Sequence, residues 1–282
     1  GRISPIRQIS EIVHAKGIPL IVDEAHGAHL GLSPETAENS CQAGADIVIH
    51  SVHKTLPALT QTALLHVNGK LIDRDRLRRF LHIYQSSSPS YLLMAGIDNA
   101  LEYTAAEGKR RFAFMAQEWQ RMQDKLSACR RLKFVTGSRG QQDMGKLVIS
   151  VKGTGVSGKW LYEQLLHTYR LQLEMAGDTY ALAMFTLNDT REGYERLTRA
   201  LSELDRQMPE AEIVKAAEDT CVPETDKGAI PLAQAWDMKK TEKGLSECVG
   251  AYAGEFVNLY PPGVPVLAPG ERITEEIREH ID

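Results

Sequence analysis

The stretches IVDEAHGAHLG (residues 21–31) and ADIVIHSVHKTLPALTQTALLHV (residues 45–67) decide the fold of this chain. The first overlaps the apolar run 18–22, and the second contains the runs 46–52 and 62–67, each bounded by polar residues or glycine. Short apolar runs of this kind are typical of buried strands in a parallel sheet. The sequence therefore predicts three buried strands of a mostly parallel sheet.

The segment ahead of the first strand has the pattern of an amphipathic helix. Apolar residues recur at helical spacing within residues 5–16, and Gly17 follows as a C-terminal stop. A helix that leads into a buried strand is half of a β–α–β unit. We therefore expect an α/β fold, with further strands upstream of residue 1.

The remainder of the chain divides into segments with different residue patterns. A long, charge-rich helical pattern covers 91–132, short strands alternate with helices over 132–208, and polar, proline-containing sequence at 209–231 is typical of a linker. Prolines then cluster at 261–265, which indicates a rigid loop before a terminal helix. We expect three domains, over residues 1–110, 111–208 (small, α+β) and 209–282.

Composition excludes several classes of protein. The 282 residues are 43% apolar, 25% charged and 6% aromatic, unlike collagen, a disordered tail or a disulfide-rich miniprotein. The 33 basic and 37 acidic residues give a net charge of −4, which argues against a nucleic-acid partner. The four cysteines are scattered along the chain, which predicts free thiols in a reducing compartment. No apolar run reaches the length of a membrane span, so the cytoplasm is the expected location.

Two polar residues follow predicted strands. Asp23 ends the first strand and Lys54 lies just beyond the second, so both would face the crevice at the carboxyl edge of the sheet. A carboxylate and a lysine in one site suit pyridoxal 5′-phosphate (PLP): the lysine forms a Schiff base, and the acid keeps the pyridine nitrogen protonated. Ser51 could contact the cofactor phosphate. The alternative is an ordinary loop-starting aspartate and a surface lysine.

Four histidines offer a second kind of site. His26 and His29, and again His50 and His53, have the HxxH spacing of some metal ligands. On a strand, residues three apart point to opposite faces, and neither pair has the glutamate of the helical metalloprotease motif. We therefore expect no metal centre.

These stretches, with SSSPSYLLMAGID (86–98) and YPPGVPVLAPGERI (260–273), resemble the Orn/Lys/Arg decarboxylase family. Its members are fold-type-I PLP enzymes of the aspartate aminotransferase superfamily. The resemblance covers essentially the whole chain. It implies that residues 1–110 are the carboxyl-terminal part of the PLP-binding large domain and that 209–282 are the family's C-terminal domain.

The resemblance also implies roles for single residues. Lys54 is similar to the Schiff-base lysine, Asp23 to the partner of the pyridinium nitrogen, and Ala25 to the small residue beneath the ring. His26 matches a catalytic position beside the cofactor, and Ser51 and His53 match residues that help to hold it. Ser87 and Ser88 lie where the superfamily often reaches across a dimer interface.

The implied activity is decarboxylation of arginine, lysine or ornithine to an amine and CO2, in polyamine biosynthesis or acid response, by a homodimer or higher homo-oligomer. Glu174 or Asp178 could receive the cationic end of the substrate. Family members carry a phosphate-binding loop upstream, so the chain resembles an N-terminally truncated enzyme. The alternatives are another fold-type-I enzyme, such as an aminotransferase or lyase, and a catalytically inactive fragment.

Overall fold

The computed structural model describes residues 1–135, 137, 141–208, 230–259 and 264–281. The chain divides into two compact units, residues 1–212 and 213–282. The predicted linker falls almost entirely outside the described residues, as do residues 260–263 of the proline-rich motif.

A three-stranded sheet in the first unit carries the two sequence stretches quoted above. Helix α1 (Ile6–His14) leads into β1 (Ile21–Asp23), which pairs in parallel with β2 (Ile47–Ser51). The third strand, β3 (Ala63–Val67), completes the order β1-β2-β3. The predicted helix and all three predicted strands are therefore present.

Two expectations about this sheet differ from the structure. Strand β3 pairs antiparallel with β2, because only residues 56–62 separate it from the short helix α2 (Val52–Thr55), whereas a parallel crossover needs about a dozen residues or more. Only the central strand β2 is well buried. Strands β1 and β3 are the outer strands of the described sheet, and Ile21 is 60% exposed.

Two helices follow this sheet. Helix α3 (Arg74–Tyr84), which the sequence analysis did not predict, begins after Asp73, whose side chain accepts from the Asp75 and Arg76 amides. Helix α4 (Tyr91–Leu126) is 36 residues long and begins after Ser90, which accepts from the Leu93 amide. The long helix was predicted, and the expected domain boundary at residue 110 lies inside it. That boundary stays a prediction.

A second, antiparallel sheet has the strand order β4-β5-β7-β6. Its strands are β4 (Lys133–Val135), β5 (Lys146–Ser150), β6 (Met175–Ala176) and β7 (Tyr180–Met184). Helices α5 (Gly158–His167) and α6 (Arg191–Gln207) alternate with these strands, as the sequence predicts. Ser157 and Thr190 cap the two helices through their hydroxyl groups.

Helix α4 packs one face into the core of the first unit. Its buried residues recur every three or four positions, which is the spacing of one helix face. They include Ala100, Thr104, Gly108, Phe112, Met115, Trp119, Met122 and Leu126. This face packs with α6 and the four-stranded sheet in one apolar cluster. The same cluster contains Val52 and Leu56 of the α2 region.

The second unit is small. It contains α7 (Leu232–Asp237), a 3-10 turn (Leu245–Glu247), the antiparallel strands β8 (Val257–Leu259) and β9 (Val264–Leu267), and α8 (Glu275–Ile281). Its core is formed by Ala253, Val266, Leu267, Ile273 and Ile277.

None of the helices in the described part of the chain has the length and apolar character needed to cross a membrane. Cys41, Cys129 and Cys248 are free thiols. Cys221 lies outside the described residues.

Candidate active site

The segments that contain Asp23 and Lys54 meet at the carboxyl edge of the three-stranded sheet. Strands β1 and β2 are parallel, with Asp23 opposite Ile49, so both strands end at this edge. The chain beyond β1 continues along β2: the Glu24 amide donates to Ile49 O at 2.9 Å, and the Ser51 amide donates to Ala25 O at 3.3 Å. The segment 23–26 is thereby fixed beside the start of α2.

Lys54 lies on α2 between two anchored side chains. Val52 is fully buried and Leu56 is 6% exposed, and both belong to the main core. Lys54 itself is half-buried. The backbone that carries the amine is therefore held by packing on both sides.

The amine of Lys54 contacts the ring of His26. Lys54 Nζ lies 3.2 Å from His26 Nε2, so the amine donates to the ring nitrogen when the ring is neutral. Burial lowers the pKa of His26, the positive charges of Lys54 and Lys146 lower it further, and Glu174 and Asp143 oppose the shift. A lowered pKa keeps the ring mostly neutral near pH 7.

The neutral ring of His26 has a buried N–H donor with no hydrogen-bond partner among the described residues. With Nε2 as the acceptor, the proton of His26 is on Nδ1. Nδ1 is buried and has no hydrogen-bond partner within the described ranges. Buried polar atoms are almost always partnered, so an orphaned donor beside the candidate lysine marks a place for a bound group.

The other predicted site residues lie on the same two segments. Asp23 is exposed, and its Oδ1 accepts from the amide of the half-buried Ala25 at 3.0 Å, which orients the carboxylate. The Ser51 hydroxyl does not cap α2. His53 Nδ1 lies 2.9 Å from Thr62 O, to which it donates. The roles of these residues stay predictions.

Two other predictions concern more distant segments. Ser87 and Ser88 lie in the exposed stretch that precedes α4. Glu174 and Asp178 are both exposed, and the charge of Glu174 acts on His26. The role of Asp178 stays a prediction.

Sequence reasoning missed a buried charged cluster beside the site. Asp143 accepts from His29 Nε2 at 2.8 Å and from Lys146 Nζ at 2.6 Å, and Lys146 Nζ also donates to His26 O at 3.0 Å. Burial would raise the pKa of Asp143, but the hydrogen bond and charge of His29, together with Lys146, hold it well below its usual range.

Sequence reasoning also missed a chain of hydrogen bonds between side chains that crosses the three-stranded sheet. Glu24 accepts from the Ser40 hydroxyl at 2.6 Å and from His50 Nε2 at 2.7 Å, and His50 Nδ1 lies 3.1 Å from His66 Nε2. This chain joins the loop after β1 to β2 and β3.

The two histidines of each HxxH pair have different partners. His29 pairs with Asp143 and His50 with Glu24, whereas His26 contacts Lys54 and His53 contacts Thr62 O. Within the described residues, no group of three or more histidine, cysteine, aspartate or glutamate side chains could hold a metal ion.

Comparison with known proteins assigns the family. The model for "Orn/Lys/Arg decarboxylase, major domain" matches residues 1–182. The chain is 33% identical to the arginine decarboxylase of Bacillus subtilis over 98% of this chain and 58% of that protein. It is 30% identical to the arginine decarboxylase of Halalkalibacterium halodurans over 98% of this chain and 57% of that protein. The chain therefore spans less than two thirds of these relatives.

Solved structures confirm the fold. Lysine decarboxylase A from Pseudomonas aeruginosa superposes with a TM-score of 0.69 at 18% identity, covering 99% of this chain and 50% of that one. The Francisella novicida lysine decarboxylase gives a TM-score of 0.68 at 18% identity, over 93% of this chain and 48% of that one. Serine palmitoyltransferase from Sphingomonas wittichii gives 0.58 at 16% identity, over 74% and 53%. The α/β fold is that of the fold-type-I enzymes, and the chain belongs to the Orn/Lys/Arg decarboxylase family.

Proposed function

We propose that this chain is the part of a PLP-dependent decarboxylase that carries the cofactor lysine, and that the enzyme acts on a basic amino acid. The observation that supports this most directly is the contact of 3.2 Å between Lys54 Nζ and His26 Nε2 at the strand edge that also bears Asp23. The family and its arginine decarboxylase relatives support the substrate class.

The residues at this edge fit PLP. Lys54 supplies an amine, Asp23 an exposed carboxylate for a pyridinium nitrogen, and the orphaned His26 Nδ1 a buried donor. Ala25, Ser51 and His53 would complete the contacts to the cofactor. When bound, PLP supplies an electron sink for the electron pair left behind by departing CO2.

The chain's own groups can manage the proton of the lysine. An amine must lose its proton to act as a nucleophile. His26 Nε2, kept neutral by a lowered pKa, lies within hydrogen-bond reach to accept that proton from Lys54 Nζ.

Two neighbours fix the geometry of this pair. The Ala25 amide orients the Asp23 carboxylate, and the hydrogen bond from His53 to Thr62 O fixes that ring, which leaves His53 Nε2 to contact a bound group. We further propose that Glu174 attracts the cationic side chain of arginine, lysine or ornithine, because its negative charge acts at His26.

The assembly proposed is a homodimer or higher homo-oligomer. Several large apolar side chains of the α3–α4 region are exposed, which is typical of a surface that another chain covers. They include Phe80, Ile83, Tyr84, Tyr91 and Leu92.

The cofactor lysine can be identified directly. PLP added to the protein should produce a visible absorbance band of covalently attached cofactor, and borohydride reduction followed by peptide mass spectrometry should locate the label on Lys54. Lys54→Ala should abolish both signals. Lys70→Ala, which removes an exposed lysine after β3, should abolish neither.

The same experiment can contradict the proposal. A spectrum and a labelling pattern that are unchanged in Lys54→Ala would remove Lys54 from this role. Release of CO2 from arginine, lysine and ornithine, measured side by side, identifies the substrate. Formation of a keto acid without CO2 would instead indicate an aminotransferase.

A further inference from the structure

We propose that Asp143 and Lys146 are positioning residues for the candidate active site, because they hold the backbone of His26 so that its ring stays beside Lys54. Both residues lie far along the chain from this site: Lys146 begins β5 of the four-stranded sheet and Asp143 lies three residues before it. The inference rests on the proposed role of Lys54 and extends the site to a second sheet.

The first link is a buried carboxylate with three donors. Asp143 is 7% exposed and accepts from His29 Nε2 at 2.8 Å, from the Gly145 amide at 2.7 Å and from Lys146 Nζ at 2.6 Å. Charged hydrogen bonds of this kind are stronger than neutral ones. Asp143 therefore joins the loop after β1 to the start of β5.

The second link runs from this carboxylate to His26. Lys146 is the first residue of β5, and its Nζ bridges Asp143 Oδ2 and the carbonyl oxygen of His26. The Lys146 side chain is 13% exposed, so its amine is held between two acceptors with little access to water. The bridge fixes the peptide group from which the His26 ring projects.

A glycine makes the close packing possible. A Cβ atom at Gly145 would lie 2.9 Å from Asp143 Oδ1 and 3.3 Å from His29 Nε2. Any side chain there would push the Asp143 carboxylate away from the His29 ring that donates to it. The sequence DMGK at 143–146 is therefore fitted to this cluster.

The cluster also sets the charge around the ring. The charged groups that act on His26 are Lys54, Lys146, Glu174 and Asp143. Of these, Lys146 is the positive charge that lies outside the proposed cofactor site. It lowers the pKa of His26 and so favours the neutral ring, whose Nε2 can accept a hydrogen bond from Lys54 Nζ.

The test is NMR of the histidine rings in the 282-residue chain without PLP. His26 is assigned by loss of its signal in His26→Gln. We expect Lys146→Gln to shift the His26 pKa upward, because a positive charge is lost. Lys146→Met should shift it upward and also change the tautomer balance, because the donor to His26 O is lost. Lys146→Arg, which keeps charge and donors, should restore the wild-type signal.

Lys133→Met is the matched control. Lys133 lies on β4 of the same sheet, is exposed and likewise donates from Nζ to a backbone carbonyl, that of Arg130. It should leave the His26 signal unchanged. An unshifted His26 pKa in folded Lys146→Gln, or an equal shift in Lys133→Met, would overturn the proposal.

A second readout connects the cluster to the cofactor. If the wild-type chain binds PLP, Lys146→Met should weaken binding about tenfold, the effect of one charged hydrogen bond, and Lys146→Arg should recover it. A wild-type chain that fails to bind PLP counts against the proposed function, whereas the NMR result in the same chain still decides the role of Lys146.

Discussion

His66 ends the hydrogen-bonded chain that runs through His50 to Glu24. Burial lowers the pKa of His66, the neighbouring His50 lowers it further, and Glu24 opposes the shift. Because the folded-state pKa lies below that of the unfolded chain, the unfolded chain takes up the proton first as the pH falls. The stability contributed by neutral His66 is therefore complete above about pH 6.5 and is lost below it.

Replacement of His66 should reduce this pH dependence. We expect His66→Gln to show a smaller drop in urea midpoint between about pH 7.5 and pH 5.5 than the wild type. His82→Gln, at an exposed position on α3, should retain the wild-type drop. Equal drops in wild type and His66→Gln would show that His66 is not a source of the pH dependence.

The proposed recognition of the substrate's positive charge by Glu174 can be tested by substitution. If its carboxylate receives the cationic end of the substrate, Glu174→Gln should raise KM for the preferred basic amino acid about tenfold, the effect of one charged hydrogen bond, and change kcat much less. Glu163→Gln, at an exposed position on α5, should change neither. An unchanged KM in Glu174→Gln would assign the recognition of substrate charge to another residue.

At the scale of elements, Asp205 fastens helix α6 to the turn between α4 and β4. Its carboxylate accepts from the amides of Arg130, Arg131 and Leu132 at 2.7–2.9 Å, and the residue is 6% exposed. Removal of the side chain would leave three amides without their acceptor.

We therefore expect Asp205→Ala to lower the free energy of unfolding by about 3 kcal/mol. Asp205→Asn keeps one acceptor oxygen and should lose less. Denaturant titration of the two variants beside the wild type measures both effects. A loss in Asp205→Ala no greater than that of an exposed alanine substitution would show that these amides are satisfied in another way.

Elements with a repeated apolar pattern were predictable from the sequence. The sequence predicts helix α4 through the three- and four-residue spacing of its buried face, and β2 through its short run of apolar residues at 47–49. Helix α3 was missed because it buries no residue and nearly half of its residues are charged. The direction of β3 was missed because the length of the preceding turn, rather than the strand's own residues, determines it.

The part of the candidate site that depends on local sequence patterns was also predictable. Strand ends bring Asp23 and Lys54 to one edge, and that rule needs only local patterns. The pairing of His29 with Asp143 spans 114 residues along the chain, and neither segment's pattern specifies its partner. The second sheet's contribution to the site therefore required the structure.

At the scale of the first unit, helix α4 contacts both the turn that follows the candidate lysine and the core beside the four-stranded sheet. Near its start, a Cβ at Gly96 would lie 3.3 Å from the Leu59 side chain, which follows α2 and Lys54. Near its end, Met122 and Leu126 are in the core beside α6 and the four-stranded sheet. The 36 residues between Tyr91 and Leu126 extend over about 54 Å at 1.5 Å per residue.

This one continuous helix connects the turn after the candidate lysine to the core beside the four-stranded sheet. Its end packs beside α6 and its start packs beside Leu59, so a tilt of the whole helix would displace both contacts together. A displacement of the four-stranded sheet that tilted α4 would therefore also move the turn that follows the candidate lysine.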